Sequence, residues 1–204
     1  MKKSLTLLTL GSILEYYDFA IYLFFAKKIG ESLIPINNPI TNLIVIFAIY
    51  AAGALIRPLG GLVFSYFGDK YSRKKSLNTS ILIMALSTLA IGLIPNYQNI
   101  GMLSVVLLIL LRFTQSFAVG GEVPAAMVFA YEISTVEKKA LYTNIAICGT
   151  NIGLLFASIV CGYLSNHATG ELIWRSGFII GGIAGIGFML LRRQLSEPNE
   201  FTQA

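Results

Sequence analysis

Charge is what this chain has least of. Of its 204 residues only 12% are Asp, Glu, Lys or Arg, while 55% are hydrophobic. A soluble domain carries roughly 25% charged residues. With a mean hydropathy of +0.73, the chain reads as a membrane protein, and spans rather than length count its units. Metal and redox chemistry have equally little to work with. The single histidine, His167, reads as a solvated loop residue, and no group of His, Cys, Asp and Glu has metal-ligand spacing. The two cysteines, Cys148 and Cys161, share one apolar run; on a helix they stand ~20 Å apart, beyond disulfide reach. No nucleophile–base pair or phosphate loop is present, so an enzyme is not expected. The net charge of +5 lacks the basic, aromatic-interleaved surface of a nucleic-acid binder. Period-two alternation, the sign of a barrel strand, is missing. So is a small-x-small cleavage site after Met1-Lys2-Lys3 and the Leu5–Leu14 run. Glu15 and Asp18 stand where one would be, and the start reads as an uncleaved first span.

What is there is six apolar runs: residues 5–26, 41–67, 77–95, 100–130, 141–164 and 173–191. Backbone groups in hydrocarbon must pair within their own segment, so each run is expected to be a transmembrane helix. Residues 192–204 form a polar tail. Lysines and arginines fix the orientation. With the N-terminus cytoplasmic, the inner segments hold Lys2, Lys3, Lys70, Arg73, Lys74, Lys75, Lys138, Lys139, Arg192 and Arg193. The outer loops then hold Lys27, Lys28 and Arg175. That bias predicts both termini inside.

The few charges within spans are the candidate functional residues. Gly11, Glu15, Asp18 and Tyr22 recur at steps of four, three and four and share one face of the first span. Asp18 lies ~20 Å in from Leu5, near the bilayer middle, where a carboxylate must pair, protonate or line water. Arg57-Pro58 interrupts the second span; proline predicts a kink, and Arg57, ~18 Å along the helix from Asp69, needs a partner. The third span is plain, with no chemistry in it. On the fourth, Arg112, Gln115, Val119 and Glu122 follow one slowly rotating stripe, and Arg112 reaches the depth of Asp18. Asn144, Asn151 and Ser158 share a face of the fifth span. The pair Gly149/Gly153 and the trio Gly177/Gly181/Gly185 read as small-residue packing contacts, and Trp174 reads as an interfacial anchor.

These residues resemble one family. Gly68-Asp69-Lys70-Tyr71-Ser72-Arg73-Lys74 is similar to the loop between the second and third spans of the major facilitator superfamily. Gly11…Glu15-Tyr16-Tyr17-Asp18-Phe19, Arg57-Pro58-Leu59-Gly60-Gly61, Gln115…Gly120-Gly121-Glu122, Trp174-Arg175 and Arg192-Arg193-Gln194-Leu195-Ser196-Glu197-Pro198 narrow the resemblance to its metabolite:proton symporter branch. That branch carries proline/betaine, 2-oxoglutarate, citrate and shikimate. The chain departs from the pattern at Ser65, Ser72 and Ser116, where glycines are usual, and at Val123-Pro124-Ala125.

The resemblance implies an all-α integral membrane fold, with six transmembrane helices built as a 3+3 inverted repeat. It covers one half, the N-terminal one, of a twelve-span carrier. Residues 1–191 would be the bundle and 192–204 the start of the cytoplasmic central loop. Asp18, Arg112 and Glu15 would couple the proton. Tyr22, Arg57, Gln115, Glu122, Asn144 and Asn151 would be candidates to meet a small organic acid or zwitterion. Gly68, Asp69, Arg73, Lys74 and Glu132 would form a cytoplasmic latch, with Asp69 near the positive N-terminus of the third span. A proton gradient is the only driving partner implied, with no cofactor and no metal. Three assemblies remain open: a carrier completed by a C-terminal six-span half, a two-fold pair of copies, and a non-transporting remnant or assembly partner.

Overall fold

The computed structural model describes residues 2–132 and 134–193. The closing motif from Gln194 onward, and residues 194–204 of the proposed loop, lie outside them. Within the described residues the helices are α1 (Lys2–Phe24), α2 (Ala26–Leu33), α3 (Pro39–Ala54), α4 (Arg57–Lys70), α5 (Arg73–Gly92), α6 (Tyr97–Ile100), α7 (Met102–Glu132), α8 (Lys139–His167) and α9 (Leu172–Arg192), with a 3-10 turn at Val136–Lys138. Six segments are long and apolar enough to cross a membrane: Leu5–Phe24, Pro39–Lys70, Arg73–Gly92, Met102–Glu132, Lys139–His167 and Leu172–Arg192. They overlap the six runs expected.

The break in the second segment has the cause the sequence suggests. Pro58 has no N–H for the carbonyl of Ala54, so the helix stops at Ala54, turns through Leu55 and Ile56, and restarts with Pro58 in its first turn, where the missing donor costs nothing. Pro124 acts differently and stays inside α7. The carbonyl it deprives of a donor, that of Gly120, faces Gly61 of α4. Here α4 and α7 cross with almost no gap. A Cβ on Gly60 would lie 1.8 Å from the Phe117 carbonyl oxygen, and one on Gly120 would lie 1.9 Å from that of Arg57. Gly149 and Gly153 let α8 approach the α1 backbone in the same way. At Gly181 and Gly185 of α9, Tyr17 and Leu14 of α1 fill the space.

Successive spans run in opposite directions, as the contacts at their ends show. At one end Arg192 reaches the carbonyls of Leu7 and Leu8 at the start of α1 and of Leu77 in α5, while Arg73 meets Glu132. Both described ends of the chain therefore lie on one side. At the far end Ser104 donates to the Leu33 carbonyl. There Arg175 donates to the carbonyls of Gly92 and Ile94 and to Asn96, and lies 3.3 Å from Glu171.

The interior is layered. One apolar cluster joins Leu5, Leu8, Leu77, Phe129 and Tyr142, a second Leu14, Phe64, Ile81, Met84 and Met189, and a third Tyr17, Tyr22, Ile46, Leu108, Trp174 and Phe178. Buried ion pairs occupy the seams between these layers. Trp174 belongs to the third cluster and is fully buried. The expected interfacial anchor is thus a core residue, held edge-on by Phe178 and covered by Arg175. His167 ends α8 instead of lying in a loop, exposed and stacked on Tyr163. In the first span 67% of an apolar 18-residue stretch is buried, whereas for such a stretch in Pro39–Lys70 and in Lys139–His167 the share is 22% and 25%. Those two segments carry the open faces of the bundle.

Candidate functional site

Three helices meet at Asp18. α1 presents the carboxylate, α7 presents Arg112 and Gln115 one helical turn apart, and α5 presents Thr88. Arg112 Nη1 donates to Asp18 Oδ2 at 2.8 Å and to Gln115 Oε1 at 2.8 Å. Gln115 Nε2 donates to Asp18 Oδ1 at 2.9 Å and to Thr88 Oγ1 at 2.8 Å. Thr88 Oγ1 stands 3.2 Å from Asp18 Oδ1 and 2.9 Å from the Met84 carbonyl, with one proton to give. The guanidinium of Arg112 lies 3.6 Å over the Tyr22 ring, an attraction strengthened by loss of water. Asp18 is 7% and Arg112 3% exposed. An ion pair this enclosed depends on both partners, and removing one leaves a buried charge that costs about 3–5 kcal/mol.

One helical turn along α1, Glu15 faces Arg57, but this pair is loose. Arg57 Nη1 and Glu15 Oε1 are 3.7 Å apart, and Arg57 Nη2 donates to the Tyr50 hydroxyl at 3.1 Å. Glu15, Tyr16, Phe19, Tyr50 and Arg57 line a cavity. A smaller neighbouring pocket is lined by Glu15, Arg57, Asp18, Arg112 and Gln115. The kink ahead of Pro58 starts α4 at Arg57, which places this side chain beside α1.

Glu122, further along the same stripe, forms a second buried pair. It does not join the cavity. It pairs with Arg192 at 2.5 Å, the two being 1% and 0% exposed at their side chains, and accepts a hydrogen bond from Ser80 at 2.6 Å. Arg192 in turn donates to Leu7 at 3.0 Å and Leu8 at 2.8 Å. Arg192, read from the sequence as the first residue of a polar tail, is thus fully buried and ends α9. Gly11 makes room for the pair: a Cβ there would lie 1.7 Å from Glu122 Oε1. So α1, α5, α7 and α9 are tied at one buried point.

The latch residues also assemble. Arg73 Nη1 pairs with Asp69 at 2.9 Å and Nη2 with Glu132 at 2.8 Å. Asp69, however, sits in the last turn of α4, not at the start of the third span. The α5 N-cap is Ser72, which accepts from the Lys75 amide at 2.9 Å. A Cβ on Gly68 would meet Ser76 only at ordinary contact distance, and Lys74 is half-buried. Asn144 and Asn151 are not brought to Asp18; both are exposed on α8.

Sequence reasoning missed Thr88 and Ser80, because α5 reads as plain and apolar. Ser76, Ser80 and Thr88, with Met84 between them, recur at steps of four and are all buried, and the three hydroxyls on that stripe were the signal. Tyr50 and Arg192 were missed for a different reason: their roles depend on a kink and on a helix that runs one residue past the end of its apolar run. Among the described residues no group of three or more His, Cys, Asp and Glu could hold a metal ion.

Comparison with known proteins follows the same lines. The family model of the Major Facilitator Superfamily matches residues 8–203. The proline/betaine transporter of Salmonella typhimurium is 36% identical over 207 residues, covering 100% of this chain and 41% of that protein. The proline/betaine transporter of Escherichia coli is 36% identical over 208 residues, again covering 100% and 41%. The chain therefore spans less than half the length of these relatives. Among solved structures, the xylose transporter XylE of Escherichia coli in a partially occluded inward-open conformation superposes with a TM-score of 0.86 at 17% identity. That match covers 98% of this chain and 49% of XylE, and it shows the fold.

Proposed function

The chain belongs to the Major Facilitator Superfamily, a superfamily of membrane transporters and not of enzymes, and on that premise we propose that it forms the N-terminal half of a proton-coupled symporter. The solute is a small organic acid or a zwitterionic compatible solute, a class that includes the proline and betaine in the relatives' names. The observation that carries this reading is the buried Asp18–Arg112 pair, closed by Gln115 and Thr88. Ionised, Asp18 holds Arg112. Protonated, it loses most of that attraction, and in a low-dielectric site the difference is worth several kcal/mol. Arg112 is then free to reorganise against Tyr22 and the cavity. The proton is thereby exchanged for a conformational change, which is what coupling requires.

In this reading the six spans form a 3+3 inverted repeat in the inner (plasma) membrane, and both termini are cytoplasmic. A C-terminal six-span half covers the open faces of the second and fifth spans. Rocking of the two halves around a mid-depth site gives alternating access. Asp69, Arg73 and Glu132 then form a cytoplasmic latch that must open during the cycle. The positive-inside bias and the meeting of both described chain ends at one side support the orientation. Reconstitution of this chain with a C-terminal six-span half in proteoliposomes tests the reading. Solute accumulation driven by an inward proton gradient is expected. Full accumulation by this chain alone would replace the half-carrier with a pair of copies, and no accumulation in either assembly would refute transport.

A further inference from the structure

The two arginine–carboxylate pairs beside the cavity differ in one respect that bears on what binds there. Asp18–Arg112 is closed, with both carboxylate oxygens hydrogen-bonded. Glu15–Arg57 is open. Its 3.7 Å separation leaves the charges in contact but not hydrogen-bonded. Glu15 Oε2 has no hydrogen-bond partner, although Glu15 is only 8% exposed; guanidinium nitrogens without one occur in both pairs, at Arg57 Nε and at Arg112 Nε and Nη2, so the carboxylate oxygen is what sets the pairs apart. The Arg57 side chain is 36% exposed and lines the cavity together with Glu15, Tyr16, Phe19 and Tyr50. A buried carboxylate oxygen without a partner is costly, and its position on a cavity wall makes it a place for a ligand group.

Resting on the symporter reading, we propose that Glu15 is the solute's cation-recognition residue and not a carrier of the coupled proton. The solute must then be a zwitterion whose carboxylate takes Arg57 while its cationic group takes Glu15. The site carries one positive and one negative group, so a ligand with both charges satisfies each. A simple dicarboxylate would satisfy Arg57 and be repelled by Glu15, and like charges brought together discriminate strongly between ligands. The walls agree with a cation that is large and weakly hydrated. The rings of Tyr16 and Phe19 lie 6.2 Å apart and those of Phe19 and Tyr50 5.5 Å apart, offering aromatic surface to an alkylated ammonium group. The Tyr50 hydroxyl already holds Arg57 at 3.1 Å and so orients the guanidinium for the carboxylate. Proton coupling stays with Asp18, one turn deeper, whose two carboxylate oxygens are already hydrogen-bonded to Arg112 and Gln115.

The experiment compares wild type, Glu15→Gln, Glu15→Asp and Asp18→Asn in the reconstituted carrier. Glycine betaine and 2-oxoglutarate serve as probes, and both gradient-driven uptake and solute exchange are measured. Wild type is expected to prefer betaine. Glu15→Gln should raise the betaine KM by about tenfold or more and relax the preference toward 2-oxoglutarate, with whatever uptake remains still driven by the gradient. Glu15→Asp should recover part of the loss. If Glu15→Gln instead keeps betaine exchange and loses only the gradient drive, Glu15 is a proton carrier and the proposal is overturned. Unchanged betaine KM and preference would overturn it as well. A calorimetric titration of betaine into the same proteins in detergent separates the two readings. Failure of transport with Glu15-dependent betaine binding refutes the symporter but keeps the site, and absence of betaine binding by wild type removes the site.

Discussion

Breaking the Glu122–Arg192 pair should be the most damaging single change to this fold. Both side chains are essentially inaccessible, at 1% and 0%, and the pair ties four helices through Ser80, Leu7, Leu8 and Leu77. In Glu122→Gln the buried guanidinium loses its counter-charge. In Arg192→Met the buried carboxylate keeps only Ser80. Each single change is expected to cost about 3–5 kcal/mol. For a chain of this size, at about 2–4 °C per kcal/mol, that is a fall of roughly 6–20 °C in the unfolding midpoint. The double change Glu122→Leu/Arg192→Met removes both charges and should recover most of the loss, since an apolar replacement of a whole buried pair is close to neutral. Thermal unfolding in detergent, followed by circular dichroism, reads all three. Single variants within about 1 kcal/mol of wild type, or a double variant as unstable as the sum of the singles, would show that the pair does not hold the helices together and would refute the reasoning.

Three further outcomes follow from the packing. Gly120→Ala sets a methyl 1.9 Å from the Arg57 carbonyl oxygen, backbone that cannot step aside, so α4 and α7 should separate. The expected cost is about 1–3 kcal/mol or more, whereas Gly162→Ala, which meets nothing within 4 Å inside α8, should not destabilise in the same melt and gains up to about 1 kcal/mol from the loss of glycine's backbone freedom. Arg175→Gln removes the donor to Gly92 and Ile94, and hydrogen exchange should rise at residues 92–96 while residues 68–76 stay as in wild type. Arg73→Gln should give the reverse pattern, raising exchange at residues 68–76 alone.

Much of this site could be read before any coordinates, and the reason is physical. A charge inside an apolar run is so costly that it announces itself. Asp18, Arg57 and Arg112 stood out for that reason, and their depths already paired the first with the third. What stayed hidden depends on partners that the run does not reveal. Glu122 looked like a continuation of the Gln115 stripe, because nothing in the fourth span tells that α9 extends to Arg192 and turns it inward. Arg192 looked like tail because a charge at the edge of an apolar run is ordinarily solvated. Trp174 looked like an anchor because tryptophan favours interfaces, yet Ala26, Ile29 and Leu33 of α2 join its apolar cluster and Arg175 covers its ring. Thr88 and Ser80 carry no charge, and a hydroxyl in a helix can satisfy itself on its own backbone, so their cross-helix bonds leave no compositional trace. The break at Leu55 and Ile56 was legible from Pro58, but the direction in which it delivers Arg57 was not.

Coupling through Asp18 is the claim on which the account turns, and one comparison tests it directly. Asp18→Asn keeps the size of the side chain and can still accept from Arg112, but it cannot ionise. In the reconstituted carrier, uptake driven by a proton gradient should fall to the rate seen without a gradient, while solute-for-solute exchange continues. Gradient-driven uptake that persists in Asp18→Asn would contradict the account and take Asp18 out of the mechanism.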